Sequence, residues 1–343
     1  MSRRFDEKII TLAHGAGGKA MRDLVEGLIL PYFDNALLAP LEDQARVPLA
    51  ELNALGDRLA MTTDSFVVDP LEFPGGDIGT LAINGTVNDL AMSGAIPRYL
   101  TCGLILEEGL DVAILRRILA SMKQAAATAG VSIVSGDTKV VQRGGADKLF
   151  INTAGIGVIP TDADIRASRA QPGDVVIVNG MLGDHGAAVL NARGDLALDV
   201  ELKSDCQPLN RQVQALRAAC PDLHCLRDAT RGGVATVLNE FAESAHVAIR
   251  LHERDIPVRD SVRGVCEILG LDALYLANEG RLVAVLPADH ADAAIAALNA
   301  CGDDARVIGE VIPEPAGRVL MKTAFGSERI VDRLVGEQLP RIC

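Results

Sequence analysis

The chain has 343 residues, 49% hydrophobic and 23% charged, with 33 Lys and Arg against 46 Asp and Glu. That length provides for one large or two medium domains, and 3% aromatics with no Trp leave the core to Ala, Val, Leu and Ile. A formal charge of −13 argues against a nucleic-acid surface; no apolar run reaches the roughly 18 residues of a membrane span, and MSRRFDEKII lacks a signal peptide's apolar stretch.

A soluble cytoplasmic protein, with no nucleic-acid or membrane partner, is the expectation. Strand-like runs alternate with amphipathic helical runs, the pattern of an α/β or α+β protein. In the first half, Arg58–Val68, Tyr99–Leu106, Val131–Val134 and Phe150–Val158 read as strands. Gly79–Ser93 and Asp111–Ala129 read as helices, the second capped by Asp111 and closed by Gly130. The segment Ile159–Gly173, with Pro160 and Pro172-Gly173, reads as a linker. A strand at Asp174–Asn179 reopens the pattern. Helices follow near Gly186–Arg193, Asn210–Ala219, Gly232–Ser244 and Ala288–Ala300, with strands at Leu282–Leu286 and Arg306–Val311. This divides the chain into residues 1–160, 161–312 and an irregular tail, 313–343. Fully extended, such a tail reaches on the order of 100 Å.

Seven cysteines are present, and no two have the C-x-x-C spacing of a zinc or redox site. Six read as buried thiols of a reducing compartment. Cys343 ends the chain, where a place in the core is not expected.

Several clusters carry chemistry. His14-Gly15-Ala16-Gly17-Gly18-Lys19 precedes the helical pattern Ala20–Leu30 and suits either a flexible turn or a phosphate contact. Asp64 lies at the end of an apolar strand, and Asn84, Asn88 and Asp89 interrupt a small, apolar helix. Asn84 and Asn88, four apart, share one face, which fits helix packing. Asp64 and Asp89 fit convergence on a hard cation such as Mg²⁺, which takes one or two carboxylates plus phosphates. Asp228 in Asp228-Ala229-Thr230-Arg231-Gly232-Gly233 suits a helix cap or an anion site. Lys139, in Ser135-Gly136-Asp137-Thr138-Lys139, is expected on a loop, as is Glu279 in Ala277-Asn278-Glu279-Gly280. His185 has no cysteine or second histidine near it in sequence and reads as structural.

Taken together, HGAGGK, TTDSFVVDP, FPGGDIG, NGTVNDLAMSGA, GDTKVV, LGDHGA, DATRGGV, ANEG and the terminal Pro340-Arg341-Ile342-Cys343 resemble the HypE family of hydrogenase maturation factors, from about His14 to the last residue. That family is part of a wider group with aminoimidazole ribonucleotide synthetase and selenophosphate synthetase. The resemblance implies a two-domain fold like that of aminoimidazole ribonucleotide synthetase, a mobile C-terminal tail and a homodimer joined through the N-terminal domains. It implies ATP and Mg²⁺ as cofactors, with the carbamoyltransferase HypF and a HypC–HypD iron-site scaffold as partners.

Carried over by motif, Asp43, Asp64, Asp89 and Asp228 hold the metal, although the glycines usual before Asp43 are absent. His14, Gly15, Gly17, Gly18, Asn88, Gly136, Asp137 and Thr138 bind the nucleotide. Cys343 carries a carbamoyl group, and Lys139 and Glu279 attend its dehydration, Glu279 as base and Lys139 on the phosphoryl oxygens, or the reverse. Arg341 is expected to favour the Cys343 thiolate. A selenophosphate synthetase would need a reactive Cys beside a Lys near the N-terminus, whereas the first cysteine is Cys102. Aminoimidazole ribonucleotide synthetase has no use for a terminal cysteine. The remaining rival is a non-catalytic carrier.

Overall fold

The computed structural model describes residues 5–194, 201–334, 336 and 341–343. Helix α1 (Lys19–Leu24) continues through a π-turn at Val25–Ile29 into α2 (Leu30–Phe33), and α3 (Leu49–Asn53) follows. The chain then forms β1 (Arg58–Phe66), a short ribbon of β2 (Glu72–Phe73) and β3 (Gly76–Asp77), and α4 (Ile78–Met92). Next come β4 (Ile96–Glu107), α5 (Val112–Ala129), β5 (Ser132–Val141) and β6 (Leu149–Ile159). The four long strands form one sheet, ordered β1-β6-β4-β5, parallel only between β4 and β5. As expected, Asp111 caps α5 by accepting from Ala113 N–H (2.7 Å), and Gly130 ends it with φ 71°.

Helix α4 positions the site. A capping box fixes its start, with Thr80 N–H on Asp77 Oδ1 (2.8 Å) and Asp77 N–H on Thr80 Oγ1 (2.7 Å). Small residues let it be enclosed nearly all round. Gly85 rests against Phe66, and Gly155 of β6 lies under Thr86 and Leu90. One side of α4 packs on β1 and β6, the other on elements of the second domain.

The second domain holds β7 (Asp174–Val178), α6 (Asp184–Ala192), α7 (Asn210–Ala219), β8 (Cys225–Asp228), α8 (Gly233–Ala245), β9 (Ala248–His252) and α9 (Asp260–Leu269). It continues with β10 (Leu282–Pro287), α10 (Ala291–Ala300), β11 (Arg306–Ile312), β12 (Arg318–Lys322) and β13 (Glu328–Ile330). Their sheet runs β13-β12-β9-β11-β7-β10-β8. Strand alternation explains its two cores: Val176 and Val178 pack in the core that includes α8, and Ile177 in the one beneath α7 and α10. The molecule is thus a two-domain α/β (α+β) protein.

Two expectations are corrected. The strand foreseen at Val131–Val134 continues to Val141, so Gly136–Lys139 are strand residues, not a loop. Parallel pairing with β4 from Tyr99 to Glu107 outweighs the turn preference of Ser-Gly-Asp, and Gly136 fits because a Cβ there would stand 2.6 Å from the Cys102 carbonyl oxygen. Beyond Pro313 the chain is also more regular than expected. Strands β12 and β13 extend the second sheet, with Val319 and Met321 buried between exposed Arg318 and Lys322. Pro340 lies outside the described residues. Among those that are described, no helix is long and apolar enough to cross a membrane.

Candidate active site

The chain's last three residues lie between the domains. Arg341 and Cys343 accept through their carbonyls from Asp69 N–H (3.3 Å) and Val67 N–H (3.1 Å), so the terminus pairs with the segment after β1. Arg193 Nη2 donates to the Arg341 carbonyl at 2.8 Å. Ile342 and Cys343 are 3% and 8% exposed and belong to the N-terminal core. The expectation that a terminal cysteine stays out of the core is therefore corrected: backbone pairing satisfies the chain end, and Ile342 anchors it.

His185 is the residue that sequence reading undervalued. Gly183, with φ 83°, turns the chain into α6 and places His185 in its first turn. The imidazole is wholly buried, with Nδ1 2.8 Å from Ser204 Oγ and Nε2 2.8 Å from the Ile342 carbonyl. Burial holds its pKa below the usual histidine range. The neutral ring must donate from Nε2 to the carbonyl and accept at Nδ1 from the serine hydroxyl. His185 thus clasps the tail, and the glycines of Gly183-Asp184-His185-Gly186 were its only sequence signal.

At the sulfur, Arg231 Nε donates to Cys343 Sγ at 3.0 Å. Arg341, expected to favour the thiolate, instead binds Asp147 (2.7 Å) and the Val67 carbonyl (3.0 Å). Burial pushes the Cys343 thiol up to about 12; the nearby Glu279 carboxylate raises it further and Arg231 opposes both. The docked sulfur is therefore a neutral thiol.

Glu279 lies on a loop, as expected, but is buried there. Asp205, which the sequence gave no reason to single out, accepts from Glu279 N–H (3.2 Å) and Gly280 N–H (3.1 Å) and fixes the turn. A Cβ at position 280 would meet the Asp205 carbonyl at 2.0 Å, so only glycine fits. Oε1 of Glu279 and Oδ1 of Asn84 are buried acceptors with no hydrogen-bond partner. Each such orphan costs about 1–3 kcal/mol.

Asp64 from β1, Asp89 from α4 and Asp228 from the end of β8 are close enough to perturb one another. Burial, then like charge from Asp89, pushes Asp228 up to about 7. Asp89 is raised by burial, with Asp64 adding to it while Thr62 Oγ1 donates to its carboxylate at 2.9 Å. Partial desolvation raises Asp64, whose side chain stays open to solvent, while Ser65 N–H and Arg231 oppose the shift. Glu279 is raised well above the normal carboxyl range by burial and then by Asp228, Asp205, Asp64 and Asp89. Asp89 and Asp228 line a cavity of about 640 Å³ together with Arg227 and Arg231.

The remaining motif residues are divided. Gly17, Gly18, Asp43, Gly136, Asp137 and Thr138 line a second cavity, of about 610 Å³. Asp43 thus lines a different cavity from Asp89 and Asp228. Among the described residues no three His, Cys, Asp or Glu side chains are arranged to hold a metal ion by themselves. Gly15 lies tight on Val140, while His14 turns away, buried edge-on against Phe5 with Nε2 3.1 Å from Glu7. Asn88, expected on the nucleotide, spends its amide between domains, accepting from Leu209 N–H (2.7 Å) and donating to the Gln207 and Glu279 carbonyls (3.1 and 3.4 Å). Lys139 is exposed, ion-paired to Asp137 at 2.6 Å, and its Cα pairs with Ile105 in the register.

Replacing Asp228 by Asn separates stability from function. The raised folded value means the native state keeps a proton that the unfolded chain loses, so stability falls as pH rises from about 4 to about 7. Asp228→Asn should be more stable than the parent at pH 8, by at most about 4 kcal/mol, and, if Asp228 holds the metal as the resemblance implies, lose the ATP-dependent chemistry expected of that family. Identical melting curves across this pH window would refute the assignment.

Comparison with known proteins agrees with this architecture. Residues 42–159 match the family described as AIR synthase related protein, N-terminal domain, and residues 171–322 its C-terminal domain. The chain is 56% identical over 340 residues to the carbamoyl dehydratase HypE of Rhodobacter capsulatus, covering 98% of this chain and 99% of that one. It is 54% identical over 336 residues to that of Escherichia coli K12, covering 97% and 99%. A solved structure of the hydrogenase maturation protein HypE in complex with ATP superposes with a TM-score of 0.91 at 50% identity, covering 97% and 99%. A HypE–HypF complex superposes at 0.78 with 44% identity, covering 92% and 100%. With identity of this order along nearly its whole length, both matched domains and the terminal cysteine docked between them, the chain belongs to the HypE family of hydrogenase maturation proteins.

Proposed function

We infer that this chain uses ATP to dehydrate a carbamoyl group carried on its own Cys343, forming the thiocyanate that supplies cyanide to the iron of [NiFe]-hydrogenase. One observation carries the reading. The Cys343 sulfur is docked 3.0 Å from the Arg231 guanidinium, near Glu279, whose buried Oε1 lacks a donor.

The chemistry balances around these groups. The carbamoyl oxygen attacks the γ-phosphorus of ATP; the new O–P bond forms as the β–γ bridging bond breaks and ADP leaves. One N–H proton passes to Glu279. The C–O bond then breaks, the second N–H proton departs with phosphate, and S–C≡N remains. A neutral carboxyl cannot take the first proton, so Glu279 must ionise. Its burial makes the ionised form a strong base. The like charges of Asp64, Asp89 and Asp228 oppose that ionisation, and neutralising them favours it. Arg231 stabilises the sulfur during the change.

Asp64, Asp89 and Asp228 are hard oxygen donors, which suits Mg²⁺ completed by nucleotide phosphates. They would hold the ion, and it would offset charge on the transferred phosphoryl group. Gly17, Gly18, Gly136, Asp137 and Thr138 would contact the nucleotide from the other cavity. Gly15 would support that loop, and Asp43 would approach the metal from it.

A thiol 8% exposed with a pKa near 12 is a poor nucleophile, so the tail leaves its dock to accept the carbamoyl group and returns to lose water. HypF is the donor this requires, and the HypC–HypD scaffold the acceptor. Residues 1–160 bind nucleotide and dimerise, residues 161–312 build the second domain, and the segment from 313 ends in the carrier. The uncovered face of the first sheet supports a homodimer: Leu59, Met61 and Ile105 are 52%, 74% and 39% exposed there. All of this fits a cytoplasmic protein.

The test is coupling. Carbamoylated protein should release one phosphate per thiocyanate formed, and unmodified protein none. ATP turnover without water loss, or no turnover at all, would leave only a carrier.

A further inference from the structure

Asn84 has no part in the function described so far. It is 3% exposed and lies one turn before Asn88 on the same face of α4. The two asparagines differ in how they are satisfied. Asn88 uses both ends of its amide on the second domain's backbone. Asn84 donates through Nδ2 to Cys206 Sγ at 3.4 Å, and its Oδ1 receives nothing. Glu279 Oε1 is the other acceptor of this kind at the site. Cys206 connects the two: it takes the Asn84 contact, and its thiol, like that of Cys343, is raised by the Glu279 carboxylate as well as by burial. Cys206 N–H also donates to Ser204 Oγ (3.1 Å), which meets the same His185 ring that holds the Ile342 carbonyl, so hydrogen bonds link Asn84 to the docked tail. Of the two acceptors lacking donors, one is an amide oxygen that cannot be protonated and one a carboxyl oxygen that can.

A primary amide brings two N–H donors from a single nitrogen. We propose that Asn84 Oδ1 and Glu279 Oε1 receive the two N–H groups of the carbamoyl carried on Cys343, with Asn84 selecting and orienting the group. This rests on the reading that Cys343 is the carrier. Because Asn84 accepts a hydrogen bond but takes no proton, it keeps its N–H while the one facing Glu279 is removed first. The pair also discriminates. An acetyl thioester would set a methyl group against two oxygens, and a carboxylated sulfur would bring a third acceptor, so both are rejected through unpaired polar atoms.

The experiment uses full-length protein carbamoylated by a HypF transferase from ¹⁵N-carbamoyl phosphate. Proton–nitrogen correlation spectra report the NH₂ group, and ATP-driven water loss is followed on the same sample. In the parent, two inequivalent N–H signals protected from exchange are expected. In Asn84→Leu one should lose protection and water loss should slow on the order of 10- to 100-fold, with carbamoyl acceptance retained. Asn84→Asp, which keeps an oxygen acceptor, should restore the second protected signal. If Asn84→Leu does not fold, Asn84→Ser, too short to reach, decides the matter in the same way. Unchanged N–H signals and rate in the leucine or serine variant overturn the role of Asn84 while leaving the dehydratase reading intact. A parent protein that never carries the label on Cys343 overturns both.

Discussion

Cys343→Ala should leave a folded protein that still binds ATP and accepts no carbamoyl group. The backbone contacts that dock the terminus, from Val67, Asp69, Arg193 and His185, do not involve the side chain, and the alanine can still occupy the dock. The hydrogen bond lost is that of Arg231, which is exposed enough for water to replace the sulfur. Stability should change by no more than about 1 kcal/mol, while activity falls to background because the proposed carrier sulfur is gone. Peptide mass spectrometry after incubation with a HypF transferase, carbamoyl phosphate and ATP checks this; a carbamoyl group on another residue, followed by water loss, would remove Cys343 from its role.

Glu279→Gln tests the chemical step. The glutamine keeps the shape of the side chain and the backbone bonds to Asp205, so Cys343 should be carbamoylated and ATP bound as before. Removing the proposed base should slow water loss on the order of 10²- to 10⁴-fold. The carbamoylated intermediate would then accumulate. Stability moves the other way: a carboxyl held protonated by burial and by four neighbouring acids weakens the fold as pH rises, and glutamine does not. The variant should therefore melt above the parent at alkaline pH and show a flatter pH profile. Dehydration at the parental rate would return the base role to another group.

The sequence was informative where local chemistry decides the outcome. Helix α5 was legible from Asp111 and Gly130 because caps act within a few residues, and the apolar run read as a strand at Asp174–Asn179 forms one over Asp174–Val178. Motifs marked Asp64, Asp89, Asp228, Glu279 and Cys343, and the structure gathers these five. What stayed hidden depends on distant pairing. Ser135–Lys139 has turn-forming residues, yet pairing with β4 draws it into a strand. His185 and Arg231 gain their meaning from a terminus 157 and 112 residues away, a separation that no local pattern encodes. Asp205 lies outside every motif, and its carboxylate shows its use only when the Glu279 turn folds onto it.

The central claim is that the terminal sulfur is the site of chemistry and this protein the catalyst. The most direct measurement is the mass of the C-terminal peptide of the parent protein, sampled over time after supplying a HypF transferase, carbamoyl phosphate and ATP. Cys343 should first gain one carbamoyl group and then lose one water, the second step stopping when ATP is withheld. A peptide that never changes mass, or one that gains the carbamoyl group and keeps it in the presence of ATP, would contradict the claim.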